Sequence, residues 1–132
     1  MTRILIADDN AIARRALKRL IEHHKEWCVV GEAQDGQDAI ERVRELRPDV
    51  LVLDLAMPRM NGLEAARVLA KIDPELPILL CTVQFSSHVV DEARKSGVRG
   101  AVPKAEGRQI TQAISALLDH HTFYSHANYS AD

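Results

Sequence analysis

Short, unbroken apolar runs alternate along this chain with longer segments of helical spacing. That alternation limits the folds open to it more than any other feature. Residues 4–7, 50–53 and 78–82 are continuous runs built from Ile, Leu, Val, Ala and Cys, the last of them closed by Thr82. Runs of this length without polar alternation are the pattern of strands buried on both faces. Residues 28–30 and 101–102 are shorter runs of the same kind. Between them, segments 11–24, 38–46, 62–72, 89–95 and 108–118 repeat apolar residues at helical intervals. Ile12, Ala16 and Leu20 share a face of the first, Ile40, Val43 and Leu46 of the second, and Leu63, Ala66, Val68 and Leu69 of the third. Gly36 precedes the second helix, Pro48 ends it, Pro58 and Gly62 bracket a loop, and Gly97 and Gly100 bracket the last connection. Strands alternating with helices imply right-handed crossovers and a parallel sheet covered on both faces. A chain of 132 residues holds five such pairs in one domain.

Composition narrows the class further. Hydrophobic residues make up 46% of the chain but aromatics only 4%, so the core has to be aliphatic. The formal charge of -2 gives no general attraction to nucleic acid or an anionic membrane. No apolar run approaches the roughly 18 residues of a membrane span, and the opening run is too short for a secretory signal. Cys28 and Cys81 lie far apart without metal-ligand spacing. They fit free thiols in a reducing, cytoplasmic setting. After Leu118 the apolar periodicity stops, so residues 1–120 are expected to be the domain and 121–132 a C-terminal tail.

In a doubly wound sheet, ligands bind in the crevice outside the carboxyl ends of the strands. The first apolar run ends in Asp8-Asp9, the third in Asp54 and the fourth in Thr82, while the fifth is followed by Lys104. Three carboxylates, a hydroxyl and an ammonium would thus meet at one sheet edge. Crowded carboxylates repel, and one would be driven toward protonation unless a cation joined them. Mg2+ suits hard oxygen ligands, is held by one or two carboxylates plus phosphate oxygens, and keeps several waters. Asp54 could then act as a nucleophile toward phosphorus, with Lys104 and the cation stabilising charge on the transferring group and Thr82 donating to a phosphoryl oxygen. Taken singly, each residue has an ordinary reading: Asp8-Asp9 as a solvated turn, Asp54 as a helix N-cap, Thr82 as a β-branched strand residue, Lys104 as a surface lysine. Only the set points to phosphoryl chemistry.

The set also resembles a known family. The segments Ile4-Leu5-Ile6-Ala7-Asp8-Asp9-Asn10, Asp49-Val50-Leu51-Val52-Leu53-Asp54-Leu55-Ala56-Met57-Pro58, Leu80-Cys81-Thr82 and Gly97-Val98-Arg99-Gly100-Ala101-Val102-Pro103-Lys104 are similar to the motifs of two-component response regulator receiver domains. The resemblance is closest to the receivers of NarL/LuxR (FixJ-like) regulators. It implies a flavodoxin-like (βα)5 fold with strand order 2-1-3-4-5. It implies Asp54 as phospho-acceptor, Asp8 and Asp9 as the acidic pair with Asp9 the direct Mg2+ ligand, the backbone carbonyl of Ala56 as a further metal contact, and Thr82 and Lys104 as phosphoryl-binding residues. A receiver catalyses only its own phosphorylation and dephosphorylation. The donor would be a sensor histidine kinase or phosphotransfer protein, and the output a change in the surface of the fourth helix, fifth strand and fifth helix that controls a partner or an attached domain. A homodimer through that surface is a further expectation.

Several positions depart from the family pattern. Ala101 stands where many receivers carry the Tyr or Phe of a switch with Thr82. Pro103 precedes Lys104, which suits an edge strand, and Ala105 follows it where a proline with a cis bond is common. Val83 stands beside the site, and Ala56 and Gln84 occupy positions that tune phosphoryl lifetime. Arg14, Arg15, Lys18 and Arg19 read as a solvated basic face or a docking surface for an acidic partner. Nothing resembles a helix-turn-helix, so direct nucleic-acid binding is not expected. The competing functions are a phosphorylation switch, the regulatory part of a DNA-binding transcription regulator, and a binding module that keeps the fold without the chemistry.

Overall fold

A computed structural model describes residues 1–125. Eleven elements follow in order: β1 (Thr2–Ala7), α1 (Ala11–Glu22), β2 (Trp27–Ala33), α2 (Gly36–Leu46), β3 (Val50–Leu53), α3 (Gly62–Ile72), β4 (Ile78–Thr82), α4 (Ser87–Lys95), β5 (Gly100–Pro103), α5 (Gly107–Leu118) and β6 (Phe123–Tyr124). The strands form one parallel sheet in the order β2-β1-β3-β4-β5-β6. The expected flavodoxin-like order is present, extended by a sixth strand drawn from the segment read as a tail. Residues 126–132 of that segment lie outside the described residues.

Strand pleat divides the core in two. On one face Leu5, Leu51, Leu53, Leu80 and Ala101 pack against α2, α3 and α4. On the other, Ile4, Ile6, Val50, Val52, Leu79 and Val102 pack against α1 and α5. All of these residues are at most 1% exposed. Each buried Leu or Ile contributes about 1.5–3 kcal/mol of transfer free energy, so the aliphatic runs that announced the strands also hold the layers together.

Helix starts follow the capping chemistry of the sequence. Asn10, Asp35, Asn61 and Ser86 accept from backbone amides in the first turns of α1, α2, α3 and α4. Asn61 and Glu64 complete a capping box. The capping role considered for Asp54 thus belongs to Asn61.

Two expectations are corrected by packing. In α1, Ile12 is 74% exposed, and Leu17, Leu20 and Ile21 meet the sheet instead. The predicted face is rotated because Ile12 and Ala16 lie on the outer side of the helix. Strand β5 is not an edge, since β6 pairs with Gly100 and Ala101. Pro103 is tolerated because it lies beyond that pairing, beside Thr82 on β4 alone. No cis peptide occurs among the described residues, so the Lys104–Ala105 bond is trans.

Gly62 is required by a close approach. A Cβ there would sit 2.1 Å from the backbone oxygen of Asp54, and the Gly62 amide donates to the Leu55 carbonyl. Gly62→Ala is expected to cost about 1–3 kcal/mol, the usual penalty of overpacking. Urea denaturation should show a lower midpoint with an unchanged slope.

Candidate functional site

The end of β1, the end of β3 and the residue after β5 deliver their side chains to one point. The Lys104 ammonium lies 2.6 Å from Asp8 Oδ2 and 3.2 Å from Asp54 Oδ2. One carboxylate oxygen from each of Asp8, Asp9 and Asp54 falls within 4.8 Å of the others. Asp8 and Asp54 are buried, whereas Asp9 is exposed at the mouth. The sequence expectation that these four residues converge is met by the geometry.

The carboxylates are held by backbone donors. Asp54 Oδ1 accepts from the Leu55 amide at 2.8 Å and Asp8 Oδ1 from the Asn10 amide at 2.9 Å. Thr82 is fully buried, and its Oγ1 accepts from the Gln84 amide at 3.0 Å. Ala56 lines an open cleft of about 500 Å³ together with Asp9, Leu55, Met57 and Gln84. Val83 is 74% exposed and lies outside that lining. Cys81 is buried, which pushes its thiol up to about 12, and a thiol at that value is unreactive.

Burial raises the Asp54 carboxyl above its ordinary value, and the neighbouring Asp8 carboxylate adds to this against the opposing ammonium of Lys104. Burial works against the charge of Lys104, but its hydrogen bond to Asp8 and the fields of Asp54 and Asp8 outweigh this and raise it. The lysine therefore stays charged. With all three carboxylates ionised, three negative charges face one positive charge, a local sum of -2. That deficit, with clustered hard oxygens open to solvent on the Asp9 side, fits a divalent cation such as Mg2+.

One supporting residue escaped the sequence reading. By sequence Arg14 belongs to the basic face of α1, but its side chain is only 13% exposed. Its Nη1 donates to the Asp8 backbone carbonyl at 2.7 Å and its Nε to Glu32 Oε1 at 2.8 Å. It ties α1 to the end of β1 and to β2, leaving Arg15, Lys18 and Arg19 exposed. No local sequence signal separates Arg14 from Arg15, because only the docking angle of the helix does so.

Residues 4–115 match the family described as the response regulator receiver domain. The chain belongs to this family. It is 39% identical over 116 residues to the chemotaxis protein CheY of Thermotoga maritima, covering 87% of this chain and 96% of that protein. It is 32% identical over 119 residues to the response regulator GacA of Pseudomonas aeruginosa, covering 89% of this chain but 56% of GacA. Among solved structures, a LuxR-family two-component response regulator from Aurantimonas sp. SI85-9A1 superimposes with a TM-score of 0.90 at 35% identity, covering 93% of this receiver and 89% of that chain. Receivers are signalling modules phosphorylated on an aspartate to control an output, and the fold and family assigned from the motifs both hold. No described helix is long and apolar enough to cross a membrane.

The raised Asp54 carboxyl gives this receiver a pH signature. The folded state binds that proton more tightly than the unfolded state, so stability falls as pH rises from the unfolded value, 3.8, through the raised folded value. Asp54→Asn removes the effect. In metal-free buffer the variant should melt at a higher temperature than the parent at neutral pH, and the gap should close below about pH 4. A lower melting temperature at neutral pH would contradict this electrostatic account.

Proposed function

We propose that Asp54 accepts a phosphoryl group from a sensor histidine kinase or phosphotransfer protein, and that the phosphorylated receiver controls a partner or an attached output domain. The observation that carries this reading is the ammonium of Lys104 spanning Asp8 and Asp54 at 2.6 and 3.2 Å beside the three-carboxylate cluster. Asp9, Asp8, Asp54 and the Ala56 carbonyl would hold Mg2+. When bound, this cation neutralises charge on the phosphoryl oxygens and removes the mutual repulsion of the carboxylates.

The chain's own groups account for the rest. A carboxylate oxygen of Asp54 forms the new O–P bond as the P–N bond to the donor imidazole breaks, its electron pair leaving on nitrogen. Lys104 is already charged and within reach, so it follows the incoming phosphoryl oxygens without a proton transfer. The Thr82 hydroxyl donates to one of those oxygens. Burial of Asp54 strips its nucleophilic oxygen of competing water. Hydrolysis of the aspartyl phosphate returns the receiver to its starting state, and the protein turns over no external substrate.

The receiver is taken to span residues 1–120, with 121–132 a tail that contributes β6, and to act in the cytoplasm, where two free thiols are at home. It would act without touching nucleic acid itself. The surface of α4, β5 and α5 is the proposed output and the contact of a possible homodimer. The share of GacA left uncovered supports a second reading, in which this chain is the regulatory part of a transcription regulator.

Acetyl phosphate with Mg2+ should add the mass of one phosphoryl group to the intact protein, in an acid-labile, base-labile and hydroxylamine-sensitive form. Asp54→Asn should abolish the addition, and Lys104→Ala should slow it by about a hundredfold or more, the scale of losing one charge-stabilising group. Addition to Asp54→Asn at the parent rate would sink the assignment. Mg2+ at 100 times its dissociation constant should stabilise the parent by about 2.7 kcal/mol, and Asp9→Asn should lose most of that gain.

A further inference from the structure

Strand β6 places an aromatic side chain on the face of the sheet that α4 covers. Tyr124 pairs in register with Ala101, so both side chains lie on the same face, and Ala101 is fully buried. Ala101 fills its place with a single methyl group, and the ring of Tyr124 packs against the same cluster as Ala93, Val98 and Ala101. Two contacts fix the ring. Its hydroxyl donates to the Val98 carbonyl at 2.6 Å, and the Arg94 guanidinium of α4 stands 4.0 Å above its centroid. The strand is itself anchored by the Phe123 and Ser125 amides, which donate to the Arg99 and Ala101 carbonyls at 3.1 and 2.9 Å. Gly100 permits the approach, because a Cβ there would sit 2.8 Å from the Phe123 carbonyl oxygen.

The same face carries Thr82, two residues beyond Leu80 on β4. Its hydroxyl holds the Gln84 amide, and the chain then enters α4 within three residues, at Ser87. Val90 and Ala93 of α4 pack in the cluster that holds Ala101. A ligand on Asp54 that recruits the Thr82 hydroxyl would pull this loop, and α4 with it. The part of α4 that touches β6 is Arg94. The Val98 carbonyl accepts the tyrosine hydroxyl from the turn directly after the helix. Movement of α4 therefore alters both contacts of Tyr124 together.

Resting on the proposal that Asp54 is the acceptor, we propose that Tyr124 is a positioning residue that couples α4 to β6, so that occupation of Asp54 loosens β6 from the edge of β5. The signal then reaches the segment after α5 through a ring supplied by the sixth strand. The coupling is reciprocal: a docked β6 favours the unmodified receiver, and a loosened β6 favours the modified one.

Backbone amide exchange, with and without beryllofluoride and Mg2+, tests this on the full chain. The Gln84 amide reports engagement of Thr82, and the Phe123 and Ser125 amides report docking of β6. All three are expected to change, with Phe123 and Ser125 exchanging at least about fivefold faster, the low end of typical coupling. A response at Gln84 with none at Phe123 and Ser125 overturns the coupling and leaves the acceptor assignment standing. No response anywhere overturns both. Arg94→Gln, on the exposed side of α4, and Tyr124→Phe, which keeps the ring, should each tighten beryllofluoride binding severalfold. A lower melting temperature with unchanged beryllofluoride affinity would mean that Tyr124 only holds the fold.

Discussion

The structure depends on one charged contact, the Lys104 ammonium between Asp8 and Asp54. It joins the residue after β5 to the ends of β1 and β3 at the edge where all the strand carboxyl ends emerge. Breaking a buried pair leaves an uncompensated charge and is costly. Here one ammonium serves two buried carboxylates, with a third beside them. The arrangement is therefore underneutralised, and that is its use. It concentrates repulsion among three strand ends that a bound divalent cation would relieve.

The scaffold tolerates this because the rest of the sheet is apolar and tightly packed. The central strands are buried on both faces by aliphatic side chains, and α1, α2, α3 and α4 are capped by short polar residues. Arg14 secures the Asp8 carbonyl from α1. On the far side of the β3–α3 loop, Arg59 pairs with Asp35 and the Gly36 amide donates to the Met60 carbonyl. The Asp38 amide, ahead of Arg59, holds the Asp35 carboxyl below its ordinary value, against the effect of its own burial. The loop that carries Ala56 is thus anchored at both ends without being buried.

Much of the site was legible in the sequence, because two-sided burial writes itself as continuous apolar runs, and whatever follows such a run must sit at the sheet edge. Asp8, Asp9, Asp54 and Lys104 follow from that rule and meet at one point, while the Thr82 hydroxyl, read by the same rule, holds the Gln84 amide. Arg14 was not found, since its neighbour Arg15 has the same chemistry and differs only in the direction it faces. Strand β6 was not found either. Two residues are too short for a periodic signal, and they form a strand only because β5 offers a free edge beside them.

What the sequence by itself determined is the list of chemical groups and the order of the layers: aliphatic strands, amphipathic helices and acidic strand ends. Both follow from burial and repeat period, which are local properties of the chain. What only the tertiary structure decided is how contacts are distributed between elements that are distant in sequence. It turned the outer face of α1 so that Ile12 meets solvent, chose Arg14 over its neighbours to brace Asp8, and placed Tyr124 over Ala101. The reason is physical. Docking angle and strand pairing are settled by the summed packing of whole faces, and no short stretch of sequence carries that sum.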